Sequence, residues 1–132
     1  MRHLLISIIF SLLILSGFAQ DEPKVFTFVE VMPKFPGGQD ELDSYLSKNL
    51  HYPESAVRDK VEGKVYVKFV VDSLGNITDV TIAKVVRNDL DEVAMKVVKE
   101  MPRWTPAFQG GKPVRVQFIL PINFAINASK KK

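Results

Sequence analysis

GKVYVKFVVDSLGNITDVTIAKVV, residues 63–86, reads as two strands joined by a tight turn, and the rest of the chain is organised around it. From Lys64 to Asp72 the residues alternate. Val65, Val67, Phe69 and Val71 fall on one face; Lys64, Tyr66, Lys68, Val70 and Asp72 fall on the other. A period of two with a β-branched and aromatic bias marks a half-buried strand. Asp72-Ser73-Leu74-Gly75-Asn76 then supplies turn chemistry, because Asp bonds its own backbone two residues on and Gly takes a positive φ. Residues 78–86 resume with Val80, Ile82 and Val86 on one side and Asp79, Thr81, Ala83 and Val85 on the other. Ile77 is out of phase with Val80, which predicts a twist or bulge beside the turn. A lone hairpin is marginal in water, so the flanking chain must cover its apolar face.

Downstream, Leu90, Val93, Ala94, Val97, Val98 and Met101 recur at helical spacing and form one apolar stripe. Asn88 or Asp89 caps this helix, Asp89 and Glu92 having the spacing of a capping box, and Pro102 ends it. Residues 103–113 read as a loop. The last strand covers 114–125. Val114, Val116, Phe118, Leu120, Ile122 and Phe124 line one face, while Arg115, Gln117, Ile119, Pro121 and Asn123 line the other. Upstream, residues 25–32 alternate weakly and are either a short strand or an extended arm. Two prolines and two glycines within 33–38 exclude regular structure there. Asp40 caps a helix over 41–50, whose Leu42, Tyr45, Leu46 and Leu50 make an apolar stripe, and Pro53 opens a shorter helical turn through Lys60.

The order strand, strand, helix, strand has a topological consequence. The helix carries the chain back, so the third strand runs antiparallel to the first and pairs beside it. The expected fold is α+β: a small antiparallel three-stranded sheet, order 2-1-3, packed against two helices. Residues 63–72 form its middle strand and 114–125 an edge. Pro121 suits an edge, since proline donates to no neighbour on one side.

Leu4 to Leu15 is an apolar run behind Arg2 and His3, followed by small residues at Gly17 and Ala19. This matches a secretory signal cut between Ala19 and Gln20. The rival reading, an uncleaved membrane anchor, has only 16 residues between Leu4 and Ala19, short of the ~20 a spanning helix needs. Removing 19 of the 132 residues leaves 113, one domain with a short arm at 20–32, a body at 33–126 and a basic tail at 127–132. The formal charge of +3 falls to +2 without Arg2, too mild a balance to argue for nucleic acid. The absence of cysteine excludes disulfides and thiolate metal sites, so the core alone must hold the domain.

Catalytic chemistry is sparse. With the leader removed, His51 is the one histidine, with Ser47 and Ser55 nearest in sequence and no orienting acid. Asp40, Glu41 and Asp43 suit a helix start. The 72–76 turn lacks the ligand spacing of a calcium loop, and neither Gly37-Gly38 nor Gly110-Gly111 leads into a lysine-bearing helix start as a phosphate loop does. Trp104 beside Arg103 could stack on a ligand, but it more naturally closes the bottom of the core. The balance favours a binding module with no cofactor and no metal over an enzyme.

An ordered series of short motifs carries a family resemblance. It comprises Tyr52-Pro53 with Ala56, Gly63-Lys64-Val65, Asp72 with Gly75-Asn76-Ile77, Asp79-Val80, and Leu90-Asp91 with Ala94. It continues through Met101-Pro102-Arg103-Trp104-Thr105-Pro106, Gly111-Lys112-Pro113-Val114 and Leu120-Pro121-Ile122-Asn123-Phe124. Together they resemble the TonB C-terminal domain over residues 32–126, and Pro33-Lys34-Phe35-Pro36-Gly37-Gly38 is similar to the variety common in Bacteroidota. The resemblance implies a periplasmic, non-enzymatic α+β domain. Such a domain grips the TonB-box peptide of an outer-membrane transporter by adding it as a strand beside its last strand, with affinity from backbone hydrogen bonds. On this sequence the implied peptide contacts are Val114, Arg115, Val116, Gln117, Phe118, Ile119 and Asn123. Of these, strand parity turns Arg115, Gln117, Ile119 and Asn123 outward.

The chain also departs from the family pattern. A full TonB has an uncleaved anchor coupled to a proton-driven motor and a long Pro-rich spacer. Here 14 residues, Gln20 to Pro33, separate the apolar run from the domain, and they reach ~50 Å at most. The preferred expectation is a free periplasmic domain that binds transporters or partner proteins without transmitting force. The alternatives are a short anchored energy transducer on the periplasmic side of the inner membrane and a homodimer formed edge to edge.

Overall fold

The computed structural model describes residues 24–126. The expected leader at 1–19 and the tail at 127–132 lie outside the described residues. The elements in chain order are β1 (Val25–Phe26), α1 (Gln39–Asn49), α2 (Glu54–Arg58), β2 (Gly63–Val71), β3 (Ile77–Lys84), α3 (Asn88–Lys99), β4 (Ala107–Gln109) and β5 (Lys112–Phe124).

The alternation in the hairpin carries over into burial. Val65, Val67, Phe69 and Val71 are fully buried on the helix-facing side of β2. On β5, Val116, Leu120, Ile122 and Phe124 are buried while Ile119, Pro121 and Asn123 are exposed. Burying each of the larger apolar side chains contributes about 1.5–3 kcal/mol, so this pattern fixes which face of each strand meets the helices. The bulge expected near Ile77 is present: β3 slips register against β2 between Lys68 and Val70, and again between Tyr66 and Val67. Asp79, opposite the first slip, has φ 52°. The Asp72 carboxylate accepts from the backbone N–H groups of Leu74 and Asn76 at 2.9 and 2.8 Å, closing the turn.

β2 lies between β3 and β5, antiparallel to both, as the order strand, strand, helix, strand requires. The three-strand expectation is nevertheless too small. The sheet has five strands and is mixed, because β1 pairs parallel with β5 through Val25↔Arg115 and Phe26↔Val116. β4 adds a hairpin onto β5, Ala107 facing Val114, where a loop was expected. Gly110 and Gly111, at φ 59° and 77°, supply the two positive φ values of a tight hairpin turn. Three helices, rather than two, cover the apolar face among the described residues.

The helix starts also differ from expectation. α1 begins after Gly38 and α3 after Arg87, neither with a side-chain cap, so Asp40 and Asp89 lie in first turns. Asp89 is free to do something else: it accepts from Arg87 Nε and Nη2 at 3.0 and 2.8 Å and from Ser55 Oγ at 2.6 Å. This clamps α2 to the start of α3. Hydrogen bonds from Arg87 first, then from Ser55, hold the Asp89 carboxyl well below the usual carboxylate range.

Trp104 closes the core, as the sequence suggested. It is 3% exposed and meets Phe35, Phe69 and Phe118 with ring centroids 5.8, 5.5 and 5.4 Å away. Its backbone N–H donates to the Gly75 carbonyl at 2.8 Å. A Cβ on Gly75 would stand 1.9 Å from the Trp104 carbonyl oxygen, so the turn glycine serves both its own positive φ and this close approach.

Candidate functional site

β5 is the longest strand, and its two flanks differ. One flank is paired with β2 in nine consecutive registers, Gly63↔Phe124 to Val71↔Val116, without a slip. The other meets β1 only at Arg115 and Val116. From Gln117 to Phe124 that second flank has no strand partner among the described residues.

Pro121 tells which backbone groups face outward. Antiparallel pairs alternate between hydrogen-bonded and non-hydrogen-bonded positions. A proline opposite Tyr66 leaves the unbroken β2 ladder intact only at a non-hydrogen-bonded position. By the same parity the N–H and C=O groups of Gln117, Ile119 and Asn123 point to the open flank, with a missing donor at Pro121.

A groove of about 620 Å³ runs beside the lower half of this flank. Pro121, Ile122, Asn123, Phe124 and Ala125 line it consecutively, so residues of both parities contribute. A wall of that kind is the side of a strand rather than one of its faces. No β2 residue lines the groove, which places it on the flank away from β2. The opposite wall is Asp43, Leu46 and Ser47 of α1, continued by Leu50, His51 and Tyr52.

α1 is held at this distance by its apolar side. Tyr45 donates its hydroxyl to the Val97 carbonyl at 2.7 Å and stacks on Phe35 at 5.4 Å. Burial first, then Glu100, raises the Tyr45 phenol above its ordinary value, which keeps it a neutral donor. Tyr52 donates to the Val61 carbonyl and meets Phe124 edge-on at 5.4 Å. Ile126 N–H donates to Glu62 at 2.9 Å, fixing the exit of β5. The groove therefore has an apolar lining, a polar rim and a strand flank for one side, which suits an extended chain.

The residues expected to contact a peptide divide into two groups. Val114 faces β4, and Arg115 and Val116 face β1, so all three are covered by the protein's own strands. Arg115 also reaches Asp79 of β3 at 3.7 Å across the outer face. Val116 is fully buried, and Phe118 turns inward against Phe69 and Trp104. Gln117, Ile119 and Asn123 lie on the open stretch, with Ile119 47% exposed.

Sequence reasoning missed the α1 wall. Leu46 and Leu50 were visible only as positions of an apolar stripe and Tyr52 only as part of the Tyr52-Pro53 motif, and no local signal could have shown them standing opposite β5. His51 sits on the groove rim, while Ser55, one of its sequence neighbours, is engaged with Asp89. Among the described residues no group of three histidine, aspartate, glutamate or cysteine side chains could hold a metal ion, and no helix is long and apolar enough to cross a membrane.

Residues 48–126 match the family model described as Gram-negative bacterial TonB protein C-terminal. The chain belongs to this family. Within it, Protein TonB from two strains of Xanthomonas campestris pv. campestris, B100 and ATCC 33913, is 35% identical over 85 residues. That stretch is 61% of this chain and 38% of the relatives' length. Two NMR solution structures of the Helicobacter pylori TonB-CTD are 22% identical at a TM-score of 0.49. One covers 65% of this chain and 90% of its own, the other 69% and 86%. In this TonB C-terminal domain the matched region spans α2 to β5, and β1 and most of α1 precede it.

Proposed function

We propose that this chain is a periplasmic TonB-type module that captures an extended peptide of an outer-membrane transporter as an added strand. The peptide pairs with the open flank of β5 over residues 117–124 and lies between that flank and α1. The observation that carries this reading is the groove along the strand's side, walled by consecutive β5 residues and by Asp43, Leu46 and Ser47. Outward backbone groups at Gln117, Ile119 and Asn123 provide affinity, and alternate side chains of the guest enter the groove, where Leu46, Leu50 and Tyr52 select them. Membership of the TonB family supports a part in energy-coupled transport, which acts by binding and positioning rather than by catalysis.

The leader at 1–19 carries the localisation half of the proposal. Cleavage after Ala19 releases a free periplasmic domain, whereas retention makes a short anchored transducer. N-terminal sequencing of the native protein with cell fractionation decides between them: Gln20 first in the soluble periplasm supports the free domain, and Met1 in the inner membrane supports the anchored one.

The binding half is tested by titrating the chain with a peptide spanning the TonB box of a transporter from the same organism and following backbone amide NMR signals. Shifts concentrated at Gln117, Ile119, Asn123 and the 43–52 wall are expected. Shifts confined to β3, or a change in sedimentation mass with no response to peptide, would replace this reading, the latter with a homodimer.

A further inference from the structure

The stretch of β5 flank that is not open is covered by the chain's own beginning. β1 occupies the flank at Arg115 and Val116 through two register pairs. Past Phe26 the chain leaves the sheet; Val29 rests partly on the core, and hydrogen bonds to the body resume at Glu30. There Glu30 N–H donates to Gln109 Oε1 at 2.9 Å, and the Glu30 carboxylate accepts from Gly110 N–H at 2.7 Å. Val31 and Lys34 then bridge to Phe108 and Thr105. The arm thus has a firm root at 30–34 and a light tip at 25–26.

The tip is held by little. Phe26 packs partly on the core, and Lys24 Nζ stands 5.1 Å above its ring. Val25 is 39% exposed and Phe28 is 88% exposed. A two-residue parallel pairing is among the weakest ladder contacts. It persists because a tethered segment acts at an effective concentration in the millimolar range.

We infer that residues 24–29 are a removable cis-strand, which limits peptide addition to the open flank until a guest long enough to extend past Gln117 displaces them. The inference rests on the strand-addition reading and adds a length threshold to it. The open stretch, eight residues from Gln117 to Phe124, spans ~27 Å at ~3.4 Å per residue. A guest confined to it leaves the arm in place. A longer guest exchanges the arm's pairs at Arg115 and Val116 for its own, against the cost of releasing Phe26 and Val29 from the core.

The test uses the full chain and two synthetic peptides from one transporter's TonB-box region, about eight and about fourteen residues long. Hydrogen exchange is read at the Phe26 amide, the arm N–H that strand parity turns toward β5, and affinity is measured for the wild type, Phe26→Ala and Val25→Asp. Amide spectra establish that each variant is folded, and the second variant stands in if the first is not. The expected result is faster exchange at Phe26 with the long peptide only, and roughly fivefold tighter binding of that peptide to the variants, the worth of about one net hydrogen bond. Binding of the long peptide with the arm's protection and the variants' affinity unchanged would overturn the cis-strand and leave strand addition standing. No binding of either peptide to any of the three proteins would overturn both.

Discussion

β3 and β5 each present a flank without a full-length partner among the described residues, yet they are built to opposite ends. β3 slips register twice against β2 and carries Asp79 at φ 52°. Slips and bulges twist a flank and break the even spacing that a guest strand needs. β5 keeps nine registers with β2 unbroken, so its outward groups at Gln117 and Ile119 stay evenly spaced, and α1 shields the lower half without pairing with it. One flank is blunted by its own geometry. The other is partly covered, by a short strand above and a helix below, and stays available for pairing. Two flanks of one sheet can therefore be told apart by regularity of register more surely than by hydrophobicity.

Both flanks depend on one core, so the largest effect strikes them together. Trp104→Ala removes the ring on which Phe35, Phe69 and Phe118 converge, at a cost of about 3–5 kcal/mol. Denaturant unfolding should show that loss, with β3 and β5 amides melting in one transition. A cost under ~1 kcal/mol would mean that the ring rims the core instead of closing it. Next in size, Gly75→Ala forces both an unfavourable φ and the clash with the Trp104 carbonyl. A loss of about 2–3 kcal/mol is expected from the same unfolding measurement.

The comparison is sharpened by a pair of substitutions read in peptide binding. Ile119→Pro removes an outward donor on β5 at the parity that already tolerates Pro121, and should weaken a bound TonB-box peptide roughly fivefold, about one net hydrogen bond. Thr81→Lys on exposed β3 should leave calorimetric affinity unchanged. Equal losses from both would erase the distinction between the flanks.

The smallest effect concerns the buttress behind β3, where α3 packs. Asp89 is held below its ordinary pKa by Arg87 and Ser55. A depressed folded value adds stability that is complete above the unfolded value of ~3.9 and drains away as pH falls below it. Asp72 acts in the same direction: burial pushes its carboxyl up, but the Asn76 and Leu74 hydrogen bonds outweigh it and leave it lowered. Thermal unfolding between neutral pH and pH 3 should therefore show a shallower acid decline in Asp89→Asn than in the wild type. Parallel curves would assign the acid sensitivity to other carboxylates.

Much of this was legible in the chain. Alternation over 63–72 and 114–124 placed each residue of the core cluster on its side, because a period of two leaves no choice once one face is apolar; Val70, buried on the opposite face, is the exception. The helical stripe at Leu90, Val93, Ala94, Val97 and Val98 and the closing role of Trp104 were equally plain. The β4–β5 hairpin was readable too, since Gly110-Gly111 between short apolar stretches is a hairpin signal, though two prolines nearby made a loop the simpler reading.

The sequence by itself determined β2, β3 and β5, their faces and their adjacency, because these follow from local periodicity and from the return path of one helix. Only the tertiary structure decided that β1 covers Arg115 and Val116 and that Asp43, Leu46 and Ser47 stand across a groove from Pro121 and Asn123. Those contacts join residues some 75 to 90 positions apart. No periodicity spans such distances; they are selected by how the whole core packs, which is a property of the folded chain and not of any stretch of it.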